Sequence, residues 1–379
     1  MKTNVVTATG RLFEPLAIGR LTLKNRLAVA PMTRISADAD GNPTERMMRF
    51  YGSFADGGFG LIVTEGAYTD RVHSQGYHFQ PGLTDRRQAA PWRRVVDTVR
   101  SRGGCIFAQL MHAGVLSQGN RVRSTTRAPS AVQPKGRQLT FYRGRWPLSC
   151  ASRDAEIAEA TEGFAGAAVL ALDSGFDGVE IYGANGYLLD QFLTEGVNVR
   201  EDRYGGSVEG RLRLVVEVVD AVRTAVGSNL PLGVRISQGK VNDFAHKWRG
   251  GQAEAAAIFG LLGQLPIDYL HTTEFEAWQP AFDKGPSLTA LAKRHVHVPV
   301  LANGSLHECD RAAQMVASGQ SDFVSLGRGA LTHHDWPRRL ESGLPLDAFD
   351  RAILSPMADL ANADCIRAAV LGPTASQQP

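Results

Sequence analysis

Residues 298–329 read VPVLANGSLHECDRAAQMVASGQSDFVSLGRG, which is a short apolar run, an amphipathic segment and a second short apolar run. The apolar runs Val298–Ala302 and Asp322–Leu326 end in small or polar residues, and Cys309–Ser318 between them has helical spacing. Apolar strands separated by helices are typical of a parallel sheet that is covered on both faces. The stretch therefore predicts a strand–helix–strand unit.

The same alternation extends towards the N-terminus. Six more strands are predicted, namely Arg26–Ala30, Gly60–Glu65, Cys105–Gln109, Gly178–Ile181, Pro231–Ile236 and Asp268–Thr272. Clear helical patterns occupy Ala155–Ser174, Val208–Val226 and Gly251–Gln264. Eight strands favour an α/β fold with a single closed (β/α)8 TIM barrel over an open doubly wound sheet, because the first strand runs into Ala30-Pro31-Met32-Thr33 and carries no G-x-G-x-x-G fingerprint.

Three segments fall outside this repeat. Residues 16–23, LAIGRLTL, have the alternation of a short hairpin that we expect to plug the N-terminal mouth of the barrel. Residues 117–151 are basic and rich in Pro and Gly, and we interpret them as an inserted loop or subdomain after strand 3. The barrel is expected to span residues 11–345, followed by a C-terminal extension at 346–379 whose tail after Gly372 is expected to be disordered.

The composition is that of an ordinary globular protein, with 43% apolar and 21% charged residues in 379 and a net charge of +3. The basic residues are dispersed, so we expect no nucleic-acid partner. Four cysteines, at 105, 150, 309 and 365, form no C-x-x-C pair and are interpreted as reduced thiols. Because residues 1–10 lack the apolar core of a signal peptide and no apolar run approaches 18 residues, we expect a cytoplasmic protein without a membrane span. We expect the protein to be a monomer or a homodimer.

In a barrel enzyme, the functional candidates are polar residues at the C-terminal ends of strands. The predicted ends carry Pro31, Thr33, Glu65, Gly66, Gln109, His112, Tyr182, Asn185, Tyr187, Arg235, Asn303, Gly304, Gly327 and Arg328. This set lacks the two carboxylates of a glycosidase and has no thiol nucleophile. Glu65 is a lone acid, which we interpret as structural.

The loops after strands 7 and 8 have the residues of a phosphate site. Asn303-Gly304 and Gly327-Arg328 follow the two strands, and glycines allow backbone N–H groups to approach an anion. The alternative is a pair of tight turns that bind no ligand. Arg235 lies within strand 5, where an arginine must either hold an anionic group or pair with an internal acid.

The run at residues 177–193, DGVEIYGANGYLLDQFL, leaves a strand and enters a turn rich in polar side chains. Asn185 offers an amide, and Tyr187 offers a phenol that is neutral at pH 7 and able to give a proton to a carbanion. The alternative for Tyr187 is a buried aromatic residue with one satisfied hydrogen bond.

Together with these features, the chain resembles the old yellow enzyme family of FMN-dependent ene-reductases over about residues 11–345. The resemblance rests on LFEPL at 12–16, KNR at 24–26, APMTR at 30–34, QLMHAG at 109–114, the run at 177–193, DRYGGS at 202–207 with Arg211 and Arg213, and the two glycine loops. It implies that NAD(P)H reduces a non-covalent FMN and that the reduced flavin gives hydride to the β-carbon of an activated alkene.

The resemblance also implies residue roles. The flavin ring would contact Ala30, Pro31, Met32, Thr33, Gly66, Gln109 and Arg235, and the phosphate would contact Asn303, Gly304, Gly327 and Arg328. Tyr187 would be the proton donor, with Asn185 and Tyr182 as its catalytic partners. The substrate would contact Tyr182, Asn185, Tyr77 and Thr33. No metal is implied.

Two positions depart from the family pattern. Tyr182 stands where the family usually has a His that helps Asn185 polarise the substrate, and Val115 replaces a frequent Arg. The Tyr182 change motivates a second hypothesis, an FMN-dependent dehydrogenase, isomerase or aromatising enzyme acting on a specialised metabolite. A third hypothesis, a flavin-binding or degenerate barrel that acts as a binding protein, is disfavoured by Tyr187, Gln109 and Arg235.

Metal centres are disfavoured by the same sequence. Cys309 and Cys365 are too few and too far apart for the iron–sulfur cluster of a related branch. The pair His295 and His297 has strand spacing but lacks a third ligand, and His333-His334 is interpreted as a solvated turn.

Overall fold

The computed structural model of the chain describes residues 9–138, 146 and 149–371. In chain order the strands are β1 (Leu16–Ile18), β2 (Leu21–Leu23), β3 (Leu27–Val29), β4 (Leu61–Val63), β5 (Ala67–Tyr68), β6 (Ile106–Met111), β7 (Thr126–Ala128), β8 (Ser149–Ala151), β9 (Gly178–Asn185), β10 (Leu232–Lys240), β11 (Tyr269–Thr273), β12 (Val300–Asn303) and β13 (Phe323–Leu326).

Eight of these strands form a closed parallel barrel. Each of β3, β4, β6, β9, β10, β11, β12 and β13 pairs in parallel with the next, and β13 returns to β3 with Val324 opposite Leu27. The eight predicted strands all lie in this barrel, so the predicted (β/α)8 fold is confirmed. At their C-terminal ends, strands β9 and β10 continue four residues further than the sequence predicted, to Asn185 and Lys240.

Helices follow the strands around the outside. They are α1 (Glu45–Asp56), α2 (Arg86–Ser101), α3 (Asp154–Asp173), α4 (Leu188–Leu193), α5 (Val208–Val226), α6 (Gly251–Leu262), α7 (Leu288–Ala292), α8 (Cys309–Ala317), α9 (Arg328–Thr332), α10 (Trp336–Glu341) and α11 (Leu360–Leu371). Helix α5 shows why they form: Ser207 caps its first turn by accepting from the Gly210 N–H, and its buried residues repeat at helical spacing against the barrel.

The N-terminal hairpin closes one end of the barrel. Strands β1 and β2 are antiparallel, and their residues Ile18 and Leu23 pack with the inward-facing side chains of Phe107, Tyr269 and Phe323. These three side chains are fully buried. The predicted hairpin and its position at the N-terminal mouth therefore agree with the structure.

The insertion after β6 is only partly described. Its described residues include β7 and β8, which form a short parallel ladder, and the buried Trp146. Residues 139–145, 147 and 148 lie outside the described part, as does the predicted tail after Gly372.

Beyond the barrel, α11 packs back towards α1, and the Arg34 guanidinium donates to the Asp359 carbonyl at 3.0 Å. Among the described residues, no helix combines the length and apolar character needed to cross a membrane.

The histidine pair before α10 corrects one expectation. His333 is buried, and the His334 ring packs against Phe54 of α1 with centroids 4.4 Å apart. The interpretation of this pair as a solvated turn was therefore wrong, because α1, which was not among the predicted helices, covers His334, and His333 Nε2 accepts from the Asp347 N–H at 2.9 Å.

Candidate active site

A cavity of about 700 Å³ opens at the C-terminal ends of the barrel strands. Ten of the residues proposed from the sequence line it, namely Met32, Thr33, Tyr77, Tyr182, Asn185, Tyr187, Asn303, Gly304, Gly327 and Arg328. This volume is in the range of ordinary cofactor and ligand sites, which bury several hundred cubic ångströms of a bound molecule. The strand ends therefore converge on one site, as the barrel fold requires.

The remaining predicted residues lie next to this lining. Ala30 and Pro31 connect β3 to the lining residue Met32, and Ala30 donates its N–H to the Leu326 carbonyl at 3.0 Å. The Gly66 carbonyl accepts from Gln80 Nε2 at 2.7 Å, so its backbone is fixed between β4 and β5. Gln109 and Arg235 belong to barrel strands and are buried.

Three tyrosines and an asparagine form one wall of the cavity. The Tyr187 and Tyr77 hydroxyl oxygens are 2.6 Å apart, and both side chains are only 3% exposed. The rings of Tyr182 and Tyr187 have centroids 4.9 Å apart, and the Tyr182 hydroxyl donates to Asn185 Oδ1 at 3.1 Å. The structure thus brings together all four residues of this wall, each of which was proposed from the sequence.

The Tyr182 hydroxyl is engaged inside this group. On sequence alone the residue was a candidate donor to an external ligand, but in the structure its proton is directed at Asn185. Because Asn185 Oδ1 accepts this bond, the Nδ2 group is the remaining donor of the amide. Burial raises the pKa of Tyr182, while the nearby Arg235 guanidinium, 5.3 Å above its ring, lowers it.

Burial also controls the protonation of Tyr187. It raises the pKa of Tyr187 well above the usual range, and the neighbouring phenols of Tyr77 and Tyr182 raise it further. The Tyr187 phenol is therefore neutral at physiological pH and carries a proton that it can donate.

A polar layer lies at the barrel floor. Arg235 donates through Nη2 to Thr273 Oγ1 at 3.2 Å and to Asn303 Oδ1 at 3.1 Å, and Gln109 donates through Nε2 to Glu180 Oε1 at 2.7 Å. No carboxylate within 4.0 Å pairs with Arg235 in the described part of the chain, so the alternative of an internal ion pair is not supported. Its charge is available to an anionic ligand.

Glu180 was not singled out from the sequence. It accepts from the Tyr269 hydroxyl at 2.9 Å and lies 2.8 Å from His271 Nδ1. Burial alone would raise the pKa of Glu180, but His271, Arg235 and Gln109 outweigh burial and hold the pKa below its usual value. A charged residue inside the apolar run Val179-Glu180-Ile181 was the available sign, because such a residue is rarely buried without partners.

The two glycine loops converge as expected. Asn303 at the end of β12 donates through Nδ2 to the Ser325 carbonyl of β13 at 3.1 Å, and Arg328 at the start of α9 donates to Ser305 Oγ. Gly304 has φ +141°, and a Cβ built there would lie 2.1 Å from the Glu274 carbonyl oxygen. The close packing therefore requires a glycine at this position.

The donor set fits FMN. Two buried polar atoms beneath the cavity, Gln109 Oε1 and Arg235 Nε, have no protein hydrogen-bond partner among the described residues. Such atoms are costly unless a ligand or water satisfies them. A flavin offers both an N–H and carbonyl oxygens on its pyrimidine edge, and Arg328 with the glycine loops offers positive charge and backbone donors for a phosphate.

Glu65 lies behind the cavity. It accepts from the backbone N–H groups of Arg34 at 2.8 Å and Ile35 at 3.1 Å, and burial raises its pKa to about 7. These contacts give it the structural role that we inferred for it. In the described residues no three His, Cys, Asp or Glu side chains are arranged to hold a metal ion.

Comparison with known proteins agrees with this geometry. The sequence profile of the NADH:flavin oxidoreductase / NADH oxidase family matches residues 11–347. A probable flavin mononucleotide-dependent alkene reductase of Leishmania infantum is 36% identical over 350 residues, which cover 90% of this chain and 93% of the relative. Two other relatives are longer, and the chain spans 51% and 56% of their lengths.

Solved structures show the same architecture. An old yellow enzyme homologue from Zymomonas mobilis superposes with a TM-score of 0.80 at 32% identity, covering 89% of this chain and 94% of that one. Morphinone reductase in complex with tetrahydroNAD superposes with a TM-score of 0.79 at 30% identity, covering 89% of this chain and 92% of that one.

Proposed function

The chain belongs to the NADH:flavin oxidoreductase / NADH oxidase family and is thus an FMN-dependent, NAD(P)H-using enzyme of the old yellow enzyme type, and from this premise we propose that it reduces activated alkenes. The substrate would be an enone, enal or nitroalkene, and Tyr187 would protonate its α-carbon. The observation that carries the proposal is the buried, neutral Tyr187 phenol, which faces the cavity close to the amide of Asn185.

We assign the cofactor contacts as the sequence suggested. The flavin ring would lie against Ala30, Pro31, Met32, Thr33 and Gly66, with Gln109 and Arg235 at its pyrimidine edge. Asn303, Gly304, Gly327 and Arg328 would hold its phosphate. When bound, FMN accepts hydride from NAD(P)H and supplies it to the β-carbon of the alkene.

Asn185 would hold the substrate. Its Nδ2 group is the donor that we assign to the substrate's carbonyl or nitro oxygen, because Oδ1 accepts from Tyr182. Tyr182 therefore orients the amide, and Thr33 and Tyr77 flank the same space. A donor directed at an oxygen that gains negative charge stabilises the transition state.

Tyr187 would supply the proton. The α-carbon of the reduced alkene is a far stronger base than a phenolate, so even a phenol of raised pKa can protonate it. Tyr77, 2.6 Å from the Tyr187 oxygen, would remain hydrogen-bonded to that oxygen after the proton leaves. Because Tyr77 raises the pKa of Tyr187, it keeps this phenol protonated until the reduced substrate takes the proton.

One observation favours a second candidate function. Since the Tyr182 proton is committed to Asn185, the site offers a substrate oxygen one side-chain donor where the family usually offers two. Weaker polarisation of the substrate by hydrogen bonds to its oxygen suits a dehydrogenase, isomerase or aromatising enzyme that acts on a specialised metabolite. Such an enzyme would keep the same cofactor site.

Anaerobic stopped-flow measurements of the two half-reactions test the proposal. The oxidised protein with FMN is first mixed with NADH or NADPH, and the reduced protein is then mixed with cyclohexenone, cinnamaldehyde or a nitrostyrene. We expect flavin reduction in the first step and alkene-dependent reoxidation in the second. Reduction by nicotinamide without reoxidation by any of the alkenes would favour the second candidate function instead.

A further inference from the structure

A buried ion pair lies directly beneath the turn that carries Asn185 and Tyr187. Lys240 Nζ, at the end of β10, is 2.6 Å from Asp190 Oδ1 in α4. Their side chains are 5% and 0% exposed. Burying two charges costs desolvation free energy, and replacing such a pair by apolar residues is often neutral or stabilising. A pair that adds little stability needs another explanation.

The two oxygens of Asp190 are divided between different partners. Oδ1 accepts from Lys240, and Oδ2 accepts from the backbone N–H of Gly186 at 2.6 Å. Gly186 is the residue between Asn185 and Tyr187. Asp190 therefore transmits the position of the ammonium group to the backbone that joins the two proposed catalytic side chains.

The main chain around Lys240 holds the other side of the same turn. Lys240 pairs with Asn185 in the β9–β10 ladder, after an irregular register between Ile236 and Lys240, and the N–H of Val241 donates to the Asn185 carbonyl at 3.0 Å. A shift of Lys240 would therefore displace Asn185 through the strand ladder and Gly186 through Asp190.

The turn at Asn185 and Gly186 has an uncommon backbone conformation. Asn185 has φ +60° and Gly186 has φ +89°, so two successive residues lie in the left-handed region. Asn and Gly tolerate this region better than other residues, but for Asn it is still less populated than the right-handed region, so contacts that hold the backbone help to define the turn. The ion pair supplies such a constraint at the position where the reaction needs fixed side chains.

We propose that Lys240, paired with Asp190, is a positioning residue that fixes the Asn185–Tyr187 turn for alkene reduction. The inference rests on the proposed function, since it concerns the step in which Asn185 and Tyr187 act. Although Lys240 lines the cavity, its ammonium group is held by Asp190, so it acts through the turn. Burial raises the pKa of Asp190, and Lys240 opposes this effect.

The variant Lys240→Met tests this proposal, because methionine keeps the side-chain length and removes the charge. We expect FMN reduction by NAD(P)H to stay within about twofold of the wild type, and reoxidation by cyclohexenone to slow by about 10- to 100-fold, since misplacement by about 1 Å can cost on the order of 10²-fold. The matched control is Lys293→Met, which removes the Lys293–Asp322 pair, 2.6 Å long, at the opposite end of the barrel. It should leave both half-reactions unchanged.

Two further readouts separate positioning from general destabilisation. In a Tyr187→Phe background, Lys240→Met should slow reoxidation by less than it does in the wild type, because both changes then affect the same step through the same residue. A crystal structure of Lys240→Met should show the turn at Asn185–Tyr187 displaced while the barrel is unchanged. Equal slowing of both half-reactions, full additivity with Tyr187→Phe, or an undisplaced turn would overturn the proposal.

If Lys240→Met does not fold, Asp190→Asn takes its place. In asparagine one of the two oxygens becomes an NH2 donor, which would face either the Gly186 N–H or the Lys240 ammonium group. One of the two bonds is then lost, and we expect the same selective slowing. If the wild-type protein reduces none of the alkenes, the proposed function fails, whereas the displaced turn in the crystal structure still decides whether Lys240 positions it.

Discussion

At the residue scale, Tyr182 determines how a substrate oxygen is held. Its hydroxyl donates to Asn185 Oδ1 at 3.1 Å, which orients the amide but uses the phenolic proton. Asn185 is then the side-chain donor that we assign to substrate. The substitution is visible in the sequence, but the direction of the hydroxyl depends on the fold of the turn.

The variant Tyr182→His should therefore strengthen the hold on the substrate. An imidazole N–H adds a second donor, and one such donor is worth on the order of 10²-fold in comparable sites. Allowing for imperfect placement, we expect reoxidation of the reduced enzyme by cyclohexenone to accelerate about tenfold, with flavin reduction unchanged. Stopped-flow absorbance measures both. Reoxidation that is unchanged or slower than in the wild type would contradict this prediction.

Tyr187→Phe should have the opposite effect on the same step. It removes the proposed proton donor and keeps the ring that packs against Tyr182. Since general acid catalysis contributes roughly 10²–10⁴-fold, we expect alkene-dependent reoxidation to slow by about that factor while reduction by NAD(P)H is spared. Unchanged rates in both half-reactions would exclude Tyr187 as the donor.

How far the site could be predicted differs from residue to residue. Tyr187, Asn185 and Arg328 were predicted to share a site because polar residues at barrel strand ends point into one cavity, and all three line it. Glu180 and the Lys240–Asp190 pair were missed, because their partners are far apart in sequence: Glu180 meets His271, and Lys240 meets Asp190. Such pairings depend on how β9, β10, β11 and α4 are placed around the barrel, which local sequence patterns do not encode.

At the element scale, the loops after β12 and β13 form the proposed phosphate site. Gly304→Ala tests it, because an L residue is strained at φ +141° and its Cβ would lie 2.1 Å from the Glu274 carbonyl oxygen. The loop must shift, so we expect the Kd for FMN to rise at least about tenfold, a loss of roughly 1.4 kcal/mol. Fluorescence titration of the apoprotein with FMN measures this change.

Gly319→Ala is the matched control for this loop. Gly319 also has positive φ, +73°, and follows α8, but nothing lies within 4 Å of the position that a Cβ would occupy there. Alanine there costs about 1–2 kcal/mol of backbone strain without touching the cavity. A similar loss of FMN affinity in both variants would mean that the Gly304 effect is general destabilisation.

Strands were easier to predict than helices. The eight barrel strands are continuous apolar runs and were located within a few residues, whereas α1 and α2 were not among the predicted helices. Helix α2 begins with two arginines and contains Pro91, so its sequence resembles a polar loop. Two local signals were nevertheless present: Asp85 caps the first turn by accepting from the Arg87 and Gln88 N–H groups, and the buried residues Trp92, Val95, Val96 and Val99 have helical spacing.

At the scale of the whole molecule, buried titratable groups make stability depend on pH. His112 is 3% exposed, its Nδ1 accepts from the Gly114 N–H at 3.0 Å, and burial lowers its pKa to about 4. Between pH 6.5 and 4 the His112 imidazole is therefore protonated in the unfolded chain but neutral in the folded chain. The free energy of unfolding contributed by His112 is present above pH 6.5 and is lost as the pH falls towards 4.

His112→Asn should remove this dependence, because an amide oxygen can accept from Gly114 without titrating. We expect the stability of the wild type relative to the variant to fall by on the order of 3 kcal/mol between pH 6.5 and 4. Glu65, with a pKa raised to about 7, has the opposite slope but is present in both proteins. Urea denaturation at a series of pH values measures the difference, and parallel curves would contradict the prediction.

The hairpin of β1 and β2 also has a kinetic consequence. Since Ile18 and Leu23 seal the N-terminal end, the cavity among the strand ends is reached from the opposite face. In the proposed reaction the nicotinamide and the alkene would then enter through the same opening and bind one after the other. Steady-state turnover should accordingly follow a ping-pong scheme, with parallel double-reciprocal lines and with each reactant, in excess, acting as a competitive inhibitor of the other.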